Sequence, residues 1–133
     1  MHLVNVNFLA VLTATVIQWI LGWLWYGVLF KKDWTALAVK EGAIKINAGV
    51  VMALIFVANF ILSFALAKIV ALTGVTAFVY GALVGAICGL SFVVPPIFAQ
   101  HISEGKPFKL FGINAVYWLL AMSLSGGVLA IWQ

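Results

Sequence analysis

The sequence has 133 residues, of which 66% are hydrophobic and 8% are charged, whereas a soluble domain carries about 25% charged residues. This composition excludes a water-soluble fold, because so few polar side chains cannot cover the surface of a domain of this length, and it predicts a protein whose outer surface contacts membrane lipid. The net charge of +4 comes from seven lysines, and the absence of arginine argues against nucleic-acid binding, which uses arginine forks on a clustered basic face.

Four apolar runs are long enough to cross about 30 Å of hydrocarbon. They lie at about residues 7–30, 48–71, 77–99 and 110–132. The runs predict an all-α fold, with four transmembrane helices in an antiparallel bundle, and they leave room for only one transmembrane domain over residues 1–133. The first run has no lysine before it and is longer than the about 7–15 residues of a signal-peptide core, so we expect it to be retained.

The lysines predict the orientation of the spans. Six of them lie in the first and third loops: Lys31, Lys32, Lys40, Lys45, Lys106 and Lys109. By the positive-inside bias these loops face the cytoplasm and both termini face outside. Within the first loop, DWTALAVKEGAIK has apolar residues near helical spacing, which favours a short amphipathic helix on the membrane surface, with a solvated connector as the alternative.

The stretch QWILGWLWYGVLFKKDW, which begins at Gln18, is unusually rich in aromatic residues. At about 100° per residue, Gln18, Gly22 and Trp25 share one stripe of the first helix. Because an amide without a partner costs free energy in hydrocarbon, we expect this stripe to face protein. Trp23 and Trp34 are predicted at the membrane interface. Two interpretations stay open: an interfacial belt with core filling, or a ligand site lined by Gln18 and Trp25.

Asn59 lies in the second run, at a depth close to that expected for Gln18, and Asn114 lies in the fourth run. Together with Gln18 and Trp25 they are candidates for a polar interior, although interhelical hydrogen bonds are a commoner role for such amides than solute coordination.

The third run carries a glycine edge, formed by Gly81, Gly85 and Gly89, which recur every four residues. Such an edge predicts close packing of another helix, in the same chain or in a second copy, and Gly22 is a further packing candidate. Near the end of this run, Pro95 and Pro96 predict a kink or an early helix end.

Candidate catalytic and metal-binding residues are few. The acids and bases His2, Asp33, Glu41, His101 and Glu104 stand near no obvious nucleophile, so we expect no enzymatic activity. Two histidines and the lone Cys88 provide no set of metal ligands, and we expect neither a metal nor a cofactor. His101 and Glu104 read as a solvated pair in the third loop. No Asp or Glu lies within a span, which argues against a proton-coupled exporter that uses an embedded carboxylate.

The motif LGWLWYGVLFKKDW resembles the start of a family of small bacterial membrane proteins catalogued as a domain of unknown function, number 1761. The similarity extends over essentially the whole chain, including the glycines of the last helix. It implies a four-helix protein of the bacterial cytoplasmic (inner) membrane and implies no particular activity.

Two functions remain open. The first is a structural or accessory subunit that packs by helix contacts, as a homo-oligomer or with a larger membrane partner. The second is a passive channel or small-solute transporter with an uncharged polar interior. The sequence favours the first, because that function requires nothing that the sequence lacks.

Overall fold

Helices form the ordered elements of the computed structural model, which describes residues 5–38 and 46–133. In chain order these elements are α1 (Phe8–Leu24), a π-helical turn (Trp25–Leu29), α2 (Lys31–Ala38), α3 (Ala48–Thr73), α4 (Phe78–Cys88), a second π-helical turn (Gly89–Val93), α5 (Val94–Ser103) and α6 (Phe108–Ile131). Four continuous helical stretches are long and apolar enough to cross a membrane. The predicted all-α, four-span fold is confirmed, and the chain is a multi-pass membrane protein.

Local sequence signals account for the ends of the helices. Asn7 caps α1 by accepting a hydrogen bond from the Leu9 amide at 3.0 Å, and Asn47 caps α3 through the Gly49 amide at 2.8 Å. Gly74 ends α3 with a φ of 73°, a left-handed conformation that glycine adopts at little cost. These caps satisfy backbone groups that would otherwise lack partners at the helix ends.

The third span runs from Phe78 to Ser103 and does not end at its prolines. Pro95 and Pro96 lie in the first turn of α5, where a missing N–H costs little because the first turn of a helix has unpaired donors in any case. The π-helical turn just before them accommodates the loss of the two proline N–H donors, so the helix continues. Residues 100–103, predicted as loop, are therefore helical.

The first loop begins with α2, so the N-terminal part of the predicted surface helix is present. The Trp34 ring packs against the Tyr26 ring with centroids 5.8 Å apart, which ties α2 to the end of the first span. The remainder of that prediction, including Lys40, Glu41 and Lys45, lies outside the described residues, as does His2.

Helix α6 is the centre of the bundle. It packs against α1, α3, α4 and α5, and 56% of its most apolar window is buried, compared with 17–28% for the other spans. Since the other spans expose most of their side chains, their outer faces are the lipid-facing surface.

The glycine edge of α4 packs against α6 of the same chain. A Cβ atom placed on Gly85 would lie 2.7 Å from the carbonyl carbon of Met122. On Gly81 it would lie 3.0 Å from the carbonyl carbon of Gly126. At Gly89 the contact is looser, 3.4 Å from a Leu119 methyl carbon. The two backbones therefore touch directly at Gly81 and Gly85, which is the geometry that small residues permit between helices in lipid.

We expect Gly85→Ala to lower the free energy of unfolding in detergent by about 1–3 kcal/mol or more, the usual cost of overpacking, because the obstacle is backbone and cannot rotate away. The matched control is Gly112→Ala on α6, where a Cβ atom meets no atom of the described residues within 4 Å. Equal stability of the two variants would contradict the close α4–α6 contact.

Candidate ligand-binding cavity

A cavity of about 580 Å³ lies between α1, α3, α5 and α6. Aromatic rings form much of its wall, from Trp19, Trp23, Tyr26, Trp34, Tyr117 and Trp118. The aliphatic side chains come from Val51, Met52, Ile55 and Ile97, and the polar ones from Gln18, Asn59, His101 and Asn114. Among the described residues, no Asp, Glu, Lys or Arg lines the cavity, so this lining carries no charge while its histidine is neutral.

The cavity borders one side of the predicted polar stripe of α1, where Gln18 and Gly22 line it. At about 100° per residue, Trp19 and Tyr26 point about 80–100° away from Gln18, whereas Trp25 points about 20° to the other side. Gln18 thus stands at the edge of the cavity, and Trp25 does not line it. The Trp25 indole instead donates a hydrogen bond to the Ile113 carbonyl at 3.0 Å, which fixes it against α6.

Two amides form the deep end of the cavity. Gln18 donates from Nε2 to the Ser125 hydroxyl at 2.9 Å, but its Oε1 has no hydrogen-bond partner among the described residues. Asn59 likewise has an unpartnered Nδ2, and the two residues are 0% and 2% exposed. Both atoms are inaccessible even to a water molecule, so they lie behind the cavity surface, and each costs the fold about 1–3 kcal/mol.

A chain of three hydrogen bonds forms the opposite, loop-side wall. The Tyr26 hydroxyl lies 2.7 Å from Asn114 Oδ1, Asn114 Nδ2 lies 3.0 Å from His101 Nε2, and His101 Nδ1 lies 2.8 Å from the Ile97 carbonyl. These bonds connect the first π-helical turn, α6 and α5. His101 was predicted in a solvated loop beside Glu104, but it is 8% exposed, because α5 extends past the predicted end of the span.

Further hydrogen bonds hold the aromatic rings of the cavity in place. The Tyr117 hydroxyl donates to the Gln18 carbonyl at 2.9 Å, and the Trp19 indole donates to the Met52 carbonyl at 3.2 Å. Because their polar groups are occupied, these rings offer mainly apolar faces to the cavity. A tight contact between Gly22 and the Tyr117 hydroxyl, where an added Cβ would stand 3.0 Å away, explains why a small residue is needed there.

The cavity reaches only one end of the bundle. Trp23 and Trp34 at its rim are 57% and 36% exposed. Beyond Gln18 and Asn59 the interior is a packed core, in which Val11, Ala14 and Val70 are fully buried. The described residues therefore form an open-sided cavity at one end of the bundle, and a packed core lies between it and the other end.

Two ion pairs lie at the loop end of the bundle, outside the cavity. Lys109 lies 3.2 Å from Asp33, and Lys106 lies 2.8 Å from Glu104. Across residues 5–38 and 46–133, no three His, Cys, Asp or Glu side chains come together in a group that could hold a metal ion.

Three of the sequence-predicted polar residues, Gln18, Asn59 and Asn114, border the cavity, and Trp25 does not. Sequence reasoning missed His101 and Tyr117 as lining residues. Tyr117 lies three residues after Asn114 on the same helix, and this spacing was the available signal. His101 carried no comparable signal, since its burial depends on where α5 ends.

We expect Ser125→Ala to lower the free energy of unfolding by about 0.6–1.7 kcal/mol, the range measured for interhelical hydrogen bonds in membranes, because it removes the partner of the buried Gln18 amide. Ser123→Ala, a half-buried position on the same helix, leaves that bond intact and is the control. Unfolding in a denaturing detergent measures both, and a larger loss for Ser123→Ala would contradict the role of Ser125.

A family model described as a protein of unknown function (DUF1761) matches residues 9–130, which confirms the family resemblance seen in the sequence. No curated protein and no solved structure matches the chain.

Proposed function

We propose that this chain, which belongs to the DUF1761 family of proteins of unknown function, binds a small uncharged solute inside the membrane. The observation that carries the proposal is the cavity of about 580 Å³, whose aromatic and aliphatic wall also includes Asn114, His101 and Tyr26. Ligand cavities usually measure about 300–1,000 Å³ and combine apolar walls with a few polar groups, and this cavity has both properties.

The wall chemistry favours a neutral, ring-containing solute. A charged group would lose its hydration without meeting an opposite charge among the lining residues, which is costly in a low-dielectric interior. Aromatic solutes gain offset or edge-to-face contacts with rings such as Trp19 and Trp118.

Of the two functions that the sequence left open, the cavity supports the second, in a narrower form. The glycine edge, which supported a purely structural subunit, is occupied by α6 of the same chain, so a second copy or a larger partner would have to use another surface. A passive channel needs a continuous path, and the packed core beyond Gln18 interrupts it. The proposed role is therefore a one-sided solute-binding protein, or a small-solute carrier in the state that is open at the loop end.

No enzymatic step is proposed. Asp33 and Glu104 each form an ion pair with a lysine, and neither lines the cavity. His101 is engaged in hydrogen bonds through both ring nitrogens. Binding without chemical conversion is the role that this arrangement supports.

The proposed orientation places the open end of the cavity in the cytoplasm of a bacterial cell, with both termini outside. Its support is the lysine bias of the first and third loops, which flank this end of the bundle.

Cysteine labelling tests the orientation. In a Cys88→Ala background, we expect Ser103→Cys to resist a membrane-impermeant thiol reagent in intact cells and to react after the cells are opened. Thr76→Cys, in the exposed turn at the other end of the bundle, should react in intact cells. The reverse labelling pattern would place the cavity mouth outside.

Quenching of tryptophan fluorescence tests binding. With the protein in lipid nanodiscs, we expect 4-bromoacetophenone, a neutral aromatic ketone, to quench saturably, because bromine would approach the tryptophans of the cavity. Val51→Phe should weaken this binding about tenfold or more, since an inserted ring that must be displaced costs about 1–3 kcal/mol.

The control is Val50→Phe, which changes a neighbouring residue that is 50% exposed and does not line the cavity. Partition of the probe into lipid gives quenching that rises without saturation and is the same in both variants. That result would contradict binding in the cavity.

A further inference from the structure

We infer that Tyr26 determines which hydrogen-bonding groups the cavity offers to a solute, and that protonation of His101 reverses the role of Tyr26 by way of Asn114. The consequence for solutes rests on the proposed binding function, whereas the coupling among the three side chains does not.

The directions of the three hydrogen bonds follow from their ends. The Ile97 carbonyl can only accept, so the proton of a neutral His101 is on Nδ1. His101 Nε2 must then accept from the Asn114 amide nitrogen. This leaves Asn114 Oδ1 facing Tyr26, whose hydroxyl donates to it. With a neutral imidazole, the Tyr26 hydrogen is thus committed to Asn114, and only its oxygen lone pairs are available to the cavity.

Protonation of His101 is incompatible with this arrangement. A proton on Nε2 would point at the Asn114 NH₂ group, so two donors would face each other at 3.0 Å. Rotation of the Asn114 amide by about half a turn, which exchanges its oxygen and nitrogen, restores both bonds. His101 then donates to Asn114 Oδ1, Asn114 Nδ2 donates to the Tyr26 oxygen, and the Tyr26 hydrogen is released to point into the cavity.

The surroundings of His101 leave this coupling as the principal response to its charge. Its ring packs against Phe111 with centroids 6.3 Å apart, and α6 also carries Tyr117 and Lys109. Two ion pairs lie at this end of the bundle, Lys109 with Asp33 of α2 and Lys106 with Glu104 in the turn after α5, and α2 also carries the exposed Lys31 and Lys32. Since α5 ends two residues beyond His101, the ring lies close to the aqueous end of its span, where protons have access.

The coupling makes the solute preference of the cavity depend on pH. With neutral His101, Tyr26 accepts hydrogen bonds, which suits solutes with a donor group. With protonated His101, Tyr26 donates, which suits carbonyl solutes. One added hydrogen bond typically changes affinity about two- to tenfold, so a ketone should bind more tightly by this factor when acidification protonates His101.

Nuclear magnetic resonance tests the coupling without a solute. The chain has two histidines, so ¹⁵N-histidine labelling in a His2→Ala background isolates His101, and ¹³C-tyrosine labelling with Tyr26→Phe identifies the Tyr26 Cζ signal. We expect the neutral His101 ring to carry its proton on Nδ1. The Tyr26 Cζ signal should change with pH at the same midpoint as the His101 signals. In Asn114→Leu, His101 should still titrate and Tyr26 should no longer follow, while the exposed Tyr80 stays constant throughout.

A proton on Nε2 at neutral pH in the wild type, or a Tyr26 signal that ignores the titration of His101, overturns the inference. The wild-type spectra decide this point even where Asn114→Leu does not fold.

Binding measurements connect the coupling to the cavity. The affinity for 4-bromoacetophenone should rise on acidification in the wild type, and both His101→Gln and Tyr26→Phe should remove this dependence. 1-Bromo-4-ethylbenzene, which lacks the carbonyl oxygen, should bind equally at both pH values. Equal pH dependence for the two probes contradicts the role of Tyr26. Failure of both probes to bind, with the coupled titration intact, contradicts the proposed function alone.

Discussion

An amide inside a bilayer has no water to bond with, and this constraint organises the whole molecule. The polar side chains of the other spans turn toward α6, which supplies partners such as Ser125 for Gln18 and Asn114 for Tyr26. Because α6 must reach α1, α3, α4 and α5 at once, it becomes the most buried helix. The glycine edge of α4 allows the closest of these approaches, and without it α6 could not lie at the centre. Polar pairing and small-residue packing therefore act on the same helix.

The cavity is a consequence of that arrangement. Side chains as large as Trp19, Trp118 and Tyr117 hold the helices apart at the loop end, whereas alanine, valine and glycine bring them together at the other end. The rings are fixed through their own hydrogen bonds, so they cannot collapse to fill the space. Because its large side chains lie at the loop end and its small ones at the other end, the bundle is open at the first and closed at the second. A channel would need to be open at both.

The histidine gives this bundle a proton-accepting group of a kind that the sequence did not reveal. Embedded carboxylates are the usual proton carriers of small transporters, and no span contains one. A buried imidazole whose two nitrogens are both engaged can respond to a proton only by rearranging its partners. The rearrangement then passes from His101 through Asn114 to Tyr26, whose ring is part of the cavity wall. At the rim, Lys109 pairs with Asp33 and Lys106 pairs with Glu104.

Hydrophobicity and length are local properties of a chain, so the sequence alone determined the four spans, the all-α fold and the need of Gln18, Asn59 and Asn114 to face protein. It also determined the close contact at the glycine edge, but not which helix would fill it. Only the tertiary structure decided that the cavity extends from Gln18 toward Trp19 and Tyr26 and not toward Trp25. The face of α1 that borders the cavity depends on the positions of α3 and α5. The burial of His101 was equally beyond the sequence. Two prolines that suggest the end of a span instead begin a new helical segment, because a π-helical turn precedes them, and that extension carries His101 into contact with Asn114.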